Sequence, residues 1–150
     1  MSAVVQSGAA SGATQSLPLF ASDDPQRTLI FSGNQRMSSG RFVAQALALA
    51  AQLPPGRHAV NLCEDRHQFL LAFCAVALAG QTNLLPASRA PQAVADVLRA
   101  YPASYAIRDR GGSTAAHCFR MPPAQDWSAS AARDNPSIAG DHVVAIGFTS

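Results

Sequence analysis

The sequence predicts an α/β fold: a mostly parallel sheet built from βαβ units, with flanking helices and a short N-terminal β-hairpin. Two observations carry this. Short β-branched or apolar runs alternate with longer segments of helical periodicity, and Gly, Pro, Ser or Asp punctuates nearly every junction. The chain is also 48% hydrophobic and 13% charged over 150 residues, which suits one packed domain, or part of one, and not a disordered chain.

The elements follow in order. Residues 1–17 are rich in Ser, Gly and Ala and read as a flexible lead; residues 18–150 carry the domain. In "RTLIFSGNQRMSS" two extended pieces, Thr28 to Phe31 and Gln35 to Met37, flank Ser32-Gly33-Asn34, where Gly and Asn suit a hairpin turn. Ser38 or Ser39 then caps a helix through "GRFVAQALALAAQL", whose Phe42, Ala46, Leu49 and Leu53 recur on one face until Pro54-Pro55-Gly56 ends it. "RHAVNLC" reads as a strand. Asp65 is positioned to cap a helix from Arg66 to about Ala79, with Gly80 as its stop; being apolar nearly all round, this helix needs cover on more than one side.

"QTNLLP" is a short strand, and "SRAPQAVADVLRAY" a third helix with Ser88 as cap, Pro91 in its first turn and Val94, Val97, Leu98 and Tyr101 as its buried stripe. "SYAIRD" is a strand, Gly111-Gly112 a turn, and "AHCFRM" a weaker extended piece. Residues 122–140 lack periodicity and read as a surface connection. They lead into "HVVAIGF", a β-branched run suited to the middle of a sheet.

Composition excludes several functions. The net charge is +2, all eleven basic residues are Arg, and they are scattered among acids, so the footprint of a nucleic-acid binder is missing. Without a Lys there is no Schiff-base or phosphate-clamping lysine in these residues. Three unpaired-looking cysteines (Cys63, Cys74 and Cys118) and an N-terminus without a basic, apolar leader imply a reducing compartment, with cytoplasmic localisation as the expectation. The run "FLLAFCAVALAG" is too short to span a bilayer, for which ~20 apolar residues are needed.

Local chemistry is sparse. Cys63 and His67 have C-x3-H spacing, and His117-Cys118 is an adjacent doublet, but structural zinc sites use two close ligand pairs, and neighbours on a strand face opposite ways. No metal site is expected. "DRGGSTAA" has glycines and hydroxyls, yet extended sequence follows it where a phosphate loop needs a helix, so a nucleotide site at Gly111-Gly112 ranks last. Asp65 is explained as a cap and Glu64 by solvent. No residue is assigned a catalytic role.

The final strand stands apart. "VVAIGFTS" resembles the lead-in to the Thr-Ser-Gly-Ser-Thr-Gly-x-Pro-Lys loop of the acyl-adenylate-forming enzymes, the AMP-binding superfamily of acyl-CoA synthetases, adenylation domains and luciferases. Upstream, "RMSSGRFVAQALALAAQL", "HAVNLCEDRHQFLLAFCAVALAGQTNLLPAS" and "PQAVADVLRAYPASYAIRD" are similar to the family's early helix, its strand, long helix and short strand, and its next helix and strand. The resemblance implies the N-terminal portion of an ATP-dependent carboxylate ligase, a partial domain that stops as the phosphate loop begins. Only Thr149 and Ser150 then correspond to phosphate-contacting positions. It further implies ATP and Mg as the whole enzyme's reactants, a carboxylic acid substrate, and CoA or a carrier protein as thiol acceptor. These 150 residues alone are then expected to be inactive. A small non-catalytic α/β interaction module is the alternative from a different class.

Overall fold

The computed structural model describes residues 15–111, 117–123 and 131–150. Three strands begin the chain, β1 (Ser16–Pro18), β2 (Thr28–Ser32) and β3 (Gln35–Ser38). Then α1 (Ser39–Ala50), β4 (His58–Asn61), α2 (Arg66–Leu78), β5 (Thr82–Leu85), α3 (Pro91–Ala100) and β6 (Tyr105–Arg108) alternate. Three short strands follow, β7 (Cys118–Arg120), β8 (Ser137–Ala139) and β9 (Ala145–Gly147). The main sheet has the order β7-β6-β4-β5-β9, and every neighbouring pair in it is parallel.

Local sequence explains most boundaries. The β2–β3 hairpin turns at Gly33, whose φ of 57° suits glycine. Ser38 caps α1 by accepting a hydrogen bond from the Arg41 amide at 3.3 Å, and Asp65 caps α2 through the Gln68 amide at 3.0 Å. Gly80, at φ 72°, follows α2. Two expected boundaries move. Helix α1 ends at Ala50, with Ala51 as C-cap and not the Leu53 side of the proline pair. Helix α3 begins at Pro91 after Ala90 without a side-chain cap; Ser88 Oγ instead accepts from the Ala90 amide at 3.3 Å, a local turn just ahead of the helix.

Alternation along the strands sorts the core into two halves. Ala59, Cys63, Tyr105 and Ile107 face α1 and α2, while Val60, Leu62, Leu84 and Ala106 face α3. The chain steps outward from β4 to β5 through α2 and back past β4 to β6 through α3. Crossovers of a single hand therefore put the two helices on opposite faces. Helix α2 is covered on both sides as its composition requires: the sheet takes one flank, and α1, through the fully buried Phe42, Ala46 and Leu49, takes another.

Two buried asparagines tie α2 to the sheet. Asn61 on β4 donates to the Phe69 carbonyl at 3.0 Å, and Asn83 on β5 donates to the Phe73 carbonyl at the same distance. These acceptors lie one helical turn apart on the same face, and a helical carbonyl has a second lone pair to offer. The small, fully buried Ala72 and Ala75 on the same helix let it approach.

Two features depart from expectation. Ser16 and Leu17, within the lead, and residues 137–139, within the connection, pair as an antiparallel ribbon, β1 with β8. Asn135 reinforces it by accepting from the Phe20 amide at 3.1 Å and donating to the Phe20 carbonyl at 2.7 Å. The other departure is β9. Its apolar run forms an edge, pairing with β5 alone among the described residues, and Val143 and Val144 ahead of it are 56% and 37% exposed. Residues 124–130 of the connection lie outside the described residues.

Candidate functional site

In an open parallel sheet, ligands gather beyond the carboxyl ends of the strands, where successive connections leave for opposite faces. Here β4 exits to α2 on one face and β5 exits to α3 on the other, so the switch point lies between Cys63 and Pro86. The residues around it are held by side chains from both neighbouring strand ends. Asp109, one residue past β6, accepts from the Glu64 amide at 2.9 Å through one oxygen and from the Asp65 amide at 2.8 Å through the other. Arg89, past β5, donates to the Cys63 carbonyl. Within the loop, Asn61 Oδ1 accepts from the Cys63 amide at 3.2 Å.

The electrostatics follow from these contacts. Burial alone would raise the Asp109 pKa, but the amides of Glu64 and Asp65, with Arg110 nearby, hold it below its ordinary value. Burial, and then the Asp109 charge, pushes the Cys63 thiol up to about 12, and burial takes Cys74 to about 11. Both are neutral thiols at physiological pH and poor nucleophiles. His67 sits against Phe42 with ring centroids 6.1 Å apart; burial lowers its pKa, with Asp65 opposing, so its imidazole stays neutral at pH 7.

A cleft of about 460 Å³ opens at this end beyond β6 and β7, lined by Asp65, His67, Asp109, Arg110, Arg120 and Met121. Its charges are mixed. One of its arginines, Arg120, is committed to the Gly111 carbonyl at 2.9 Å. Among the described residues no three His, Cys, Asp or Glu side chains converge as metal ligands.

Thr149 and Ser150 leave the C-terminal end of β9, exposed, just past the Phe148 amide that bonds the Leu85 carbonyl at 3.0 Å. They share the carboxyl edge of the sheet with Asp65 and Asp109. The structure does not bring them together with the mixed-charge cleft, because β9 and β7 are the two outer strands of five, roughly 19 Å apart at ~4.8 Å per strand. Cys63 and His67 both flank the Asp65 cap, His117 and Cys118 lie at the start of β7, and Gly111 takes a turn conformation at φ 80°, while Gly112 lies outside the described residues. Asp109 and Arg89 carry no signal in their own neighbourhood of sequence. Only the strand order shows that the chain ends after β5 and β6 flank the β4–α2 turn.

No protein-family model and no curated protein sequence matches the chain. Solved structures do. The N-terminal subdomain of NpsA from Klebsiella oxytoca superposes with a TM-score of 0.61 at 20% identity, covering 84% of this chain and 35% of that one. O-succinylbenzoate coenzyme A synthetase (MenE) from Bacillus subtilis, in complex with ATP and magnesium ion, gives 0.59 at 14% identity over 81% of this chain and 36% of its own. The nonribosomal peptide synthetase FmoA3, in its AMPPNP-bound form, gives 0.59 at 16% identity over 84% of this chain and 15% of its own. The chain thus has the fold of part of the NpsA N-terminal subdomain, and spans about a third of the length of that subdomain and of MenE.

Proposed function

We propose that this chain is the N-terminal portion of an ATP-dependent carboxylate ligase of the acyl-CoA synthetase type, which joins a carboxylic acid to AMP and then passes the acyl group to a thiol. The observation that carries the reading is the placement of "VVAIGFTS". Its Ala145–Gly147 forms the outer strand β9 beside β5, with Thr149 and Ser150 leaving the sheet at the carboxyl edge where open α/β folds hold ligands. The neighbours of this fold include proteins described with ATP, magnesium and an acyl-adenylate.

In this reading Thr149 and Ser150 offer hydroxyl donors to the phosphates of ATP. Two neutral hydroxyls do not offset a triphosphate's charge, and these residues contain no lysine, so the cation and the run of backbone N–H donors needed for the grip must come from other residues. The test is ATP–pyrophosphate exchange with a panel of aliphatic, aromatic and amino acids, on the 150-residue chain and on the open reading frame read past codon 150. Exchange with the longer protein alone is the expected result. Turnover by the 150 residues overturns the claim that they are insufficient, and no exchange by the longer protein with any acid overturns the ligase reading.

A second reading has its own support. The free edge of β9, with Val143 and Val144 exposed beside it, suits an interaction module that pairs with a partner strand. Light scattering separates the two: a monodisperse monomer favours a self-sufficient module, and sticky oligomers favour part of a larger domain.

A further inference from the structure

Strand β5 is entered through polar residues that solvent scarcely reaches: Gln81, Thr82 and Asn83 are 6%, 9% and 0% exposed. Interior strands of parallel sheets are ordinarily apolar throughout. The polarity also carries a cost, because Asn83 Oδ1 is buried without a hydrogen-bond partner among the described residues.

Each of the three holds the chain just ahead of β9. The His142 ring meets the Gln81 carbonyl at 2.8 Å, and since a carbonyl only accepts, Nε2 carries the proton. Thr82 Oγ1 donates to the Val143 carbonyl at 2.6 Å. Asn83 donates twice to the Val144 carbonyl, through its amide at 2.9 Å and through Nδ2 at 3.1 Å. Three consecutive residues thus grip three consecutive residues of the neighbouring strand.

The apolar pattern alone leaves this register open. The ladder of β9 on β5 is three residues long, and the side chains of Val143 and Val144 are exposed. A slip by two residues keeps every side chain on its own face and sets Val144 in the place of Ile146 and Val143 in that of Ala145, one apolar residue for another. At ~3.3 Å per residue, the same slip carries Thr149 and Ser150 about 7 Å along the strand. What opposes it is the polar triplet. Ahead of Val143 the chain turns, the His142 amide closing on the Ala139 carbonyl at 3.0 Å, so a slipped strand offers Thr82 and Asn83 a turn in place of extended carbonyls and takes His142 away from Gln81.

We propose that Gln81, Thr82 and Asn83 are positioning residues, which fix the register of β9 and thereby the place where Thr149 and Ser150 meet the phosphates of ATP. The phosphate half of the proposal rests on the ligase reading; the register half does not.

Thr82→Val keeps the shape and removes the hydroxyl, and Thr82→Ser restores it. In the 150-residue chain, amide hydrogen exchange by NMR reads β9 at Phe148, whose amide bonds the Leu85 carbonyl at 3.0 Å. Thr82→Val is expected to speed exchange there about tenfold, with Thr82→Ser recovering most of the protection. The Leu62 amide, bonded to the Ile107 carbonyl at 2.9 Å between β4 and β6, is expected to hold its rate. His142→Phe removes a second grip and is expected to act in the same direction, and with both grips gone the contacts between Leu84 and Ile146 are expected to be joined by contacts between Leu84 and Val144. Ser39→Ala, which deletes a hydroxyl bond of 2.8 Å to the Asp24 carbonyl far from β9, is expected to leave Phe148 as in wild type.

In the longer protein ATP selects the aligned register, so Thr82→Val is expected to raise KM for ATP in pyrophosphate exchange several-fold with kcat nearly unchanged, and Thr82→Ser to restore it. A loss of folded enzyme lowers kcat and leaves KM alone. Unchanged exchange at Phe148, acceleration shared equally by Leu62, or a fall in kcat with KM for ATP untouched overturns the proposal. Absence of any exchange by the wild-type longer protein instead sinks the ligase reading, and the Phe148 rates still decide whether the triplet sets the register.

Discussion

Replacing Asp109 with alanine removes both acceptors that hold the β4–α2 turn. Charge-assisted hydrogen bonds are worth about 1.5–3 kcal/mol each when buried, but Asp109 is half-exposed, and solvent screening discounts the pair to roughly 2 kcal/mol in all. For a domain of this size that lowers Tm by about 4–8 °C. The pH dependence gives the sharper test. The folded Asp109 pKa lies below its ordinary 3.8, so its contribution is complete above the unfolded value and drains away as pH falls through the folded one. Urea unfolding of wild type and Asp109→Ala should differ by about 2 kcal/mol at pH 7 and converge well below pH 3.8. Asp109→Asn, which keeps one acceptor oxygen, should lose about half as much. A gap that persists undiminished at low pH would show that the side chain acts through packing and not through its charge, and the reasoning would fail.

Three further substitutions probe the frame. Asn61→Ala strips the Cys63 amide of its acceptor in a fully buried setting and should cost about 1–3 kcal/mol in urea, nearly independent of salt. Tyr105→Phe leaves Gln81 Oε1 without the hydroxyl that now bonds it at 2.6 Å, and calorimetry should show a loss of about 1–2 kcal/mol with the fold intact. Gly140→Ala drives a methyl group into the Gln15 carbonyl, where the Gly140 amide now bonds at 2.6 Å; hydrogen exchange should quicken at Leu19 and residue 140 while α2 stays protected.

The fold was legible where its determinants are local. Ser38 and Asp65 announce helix starts through the chemistry of their own next turn, Gly33 and Gly80 mark reversals, and the Val94–Val97–Leu98 stripe declares which side of α3 is buried. The β1–β8 ribbon was not legible, because its strands are three residues each, mostly exposed, and lie more than a hundred residues apart. Neither composition nor period marks such pairs. The edge position of β9 was hidden for a related reason: "HVVAIGF" has the β-branched content of a central strand, but position in a sheet depends on which strands exist to flank it. Thr149 and Ser150 were singled out only by resemblance to a motif, while Asp109 and Arg89 emerge when the strand order sets their chain segments beside the β4–α2 turn.

Topology also decides where a ligand has room. The switch point between β4 and β5 is the customary crevice of an open α/β sheet, yet here Arg89 bridges it by reaching from the end of β5 to the Cys63 carbonyl. Asp109 holds the same loop from the β6 side, so the middle of the carboxyl edge is occupied by side chains whose hydrogen bonds serve the protein's own backbone. Open ground therefore shifts to the flanks. On one side Thr149 and Ser150 stand exposed past β9; on the other lies the mixed-charge cleft beyond β6 and β7. A sheet that spends its central crevice on self-restraint is suited to present its edge strands to ligands or to further segments of structure. That is the role in which the proposed ligase would use β9.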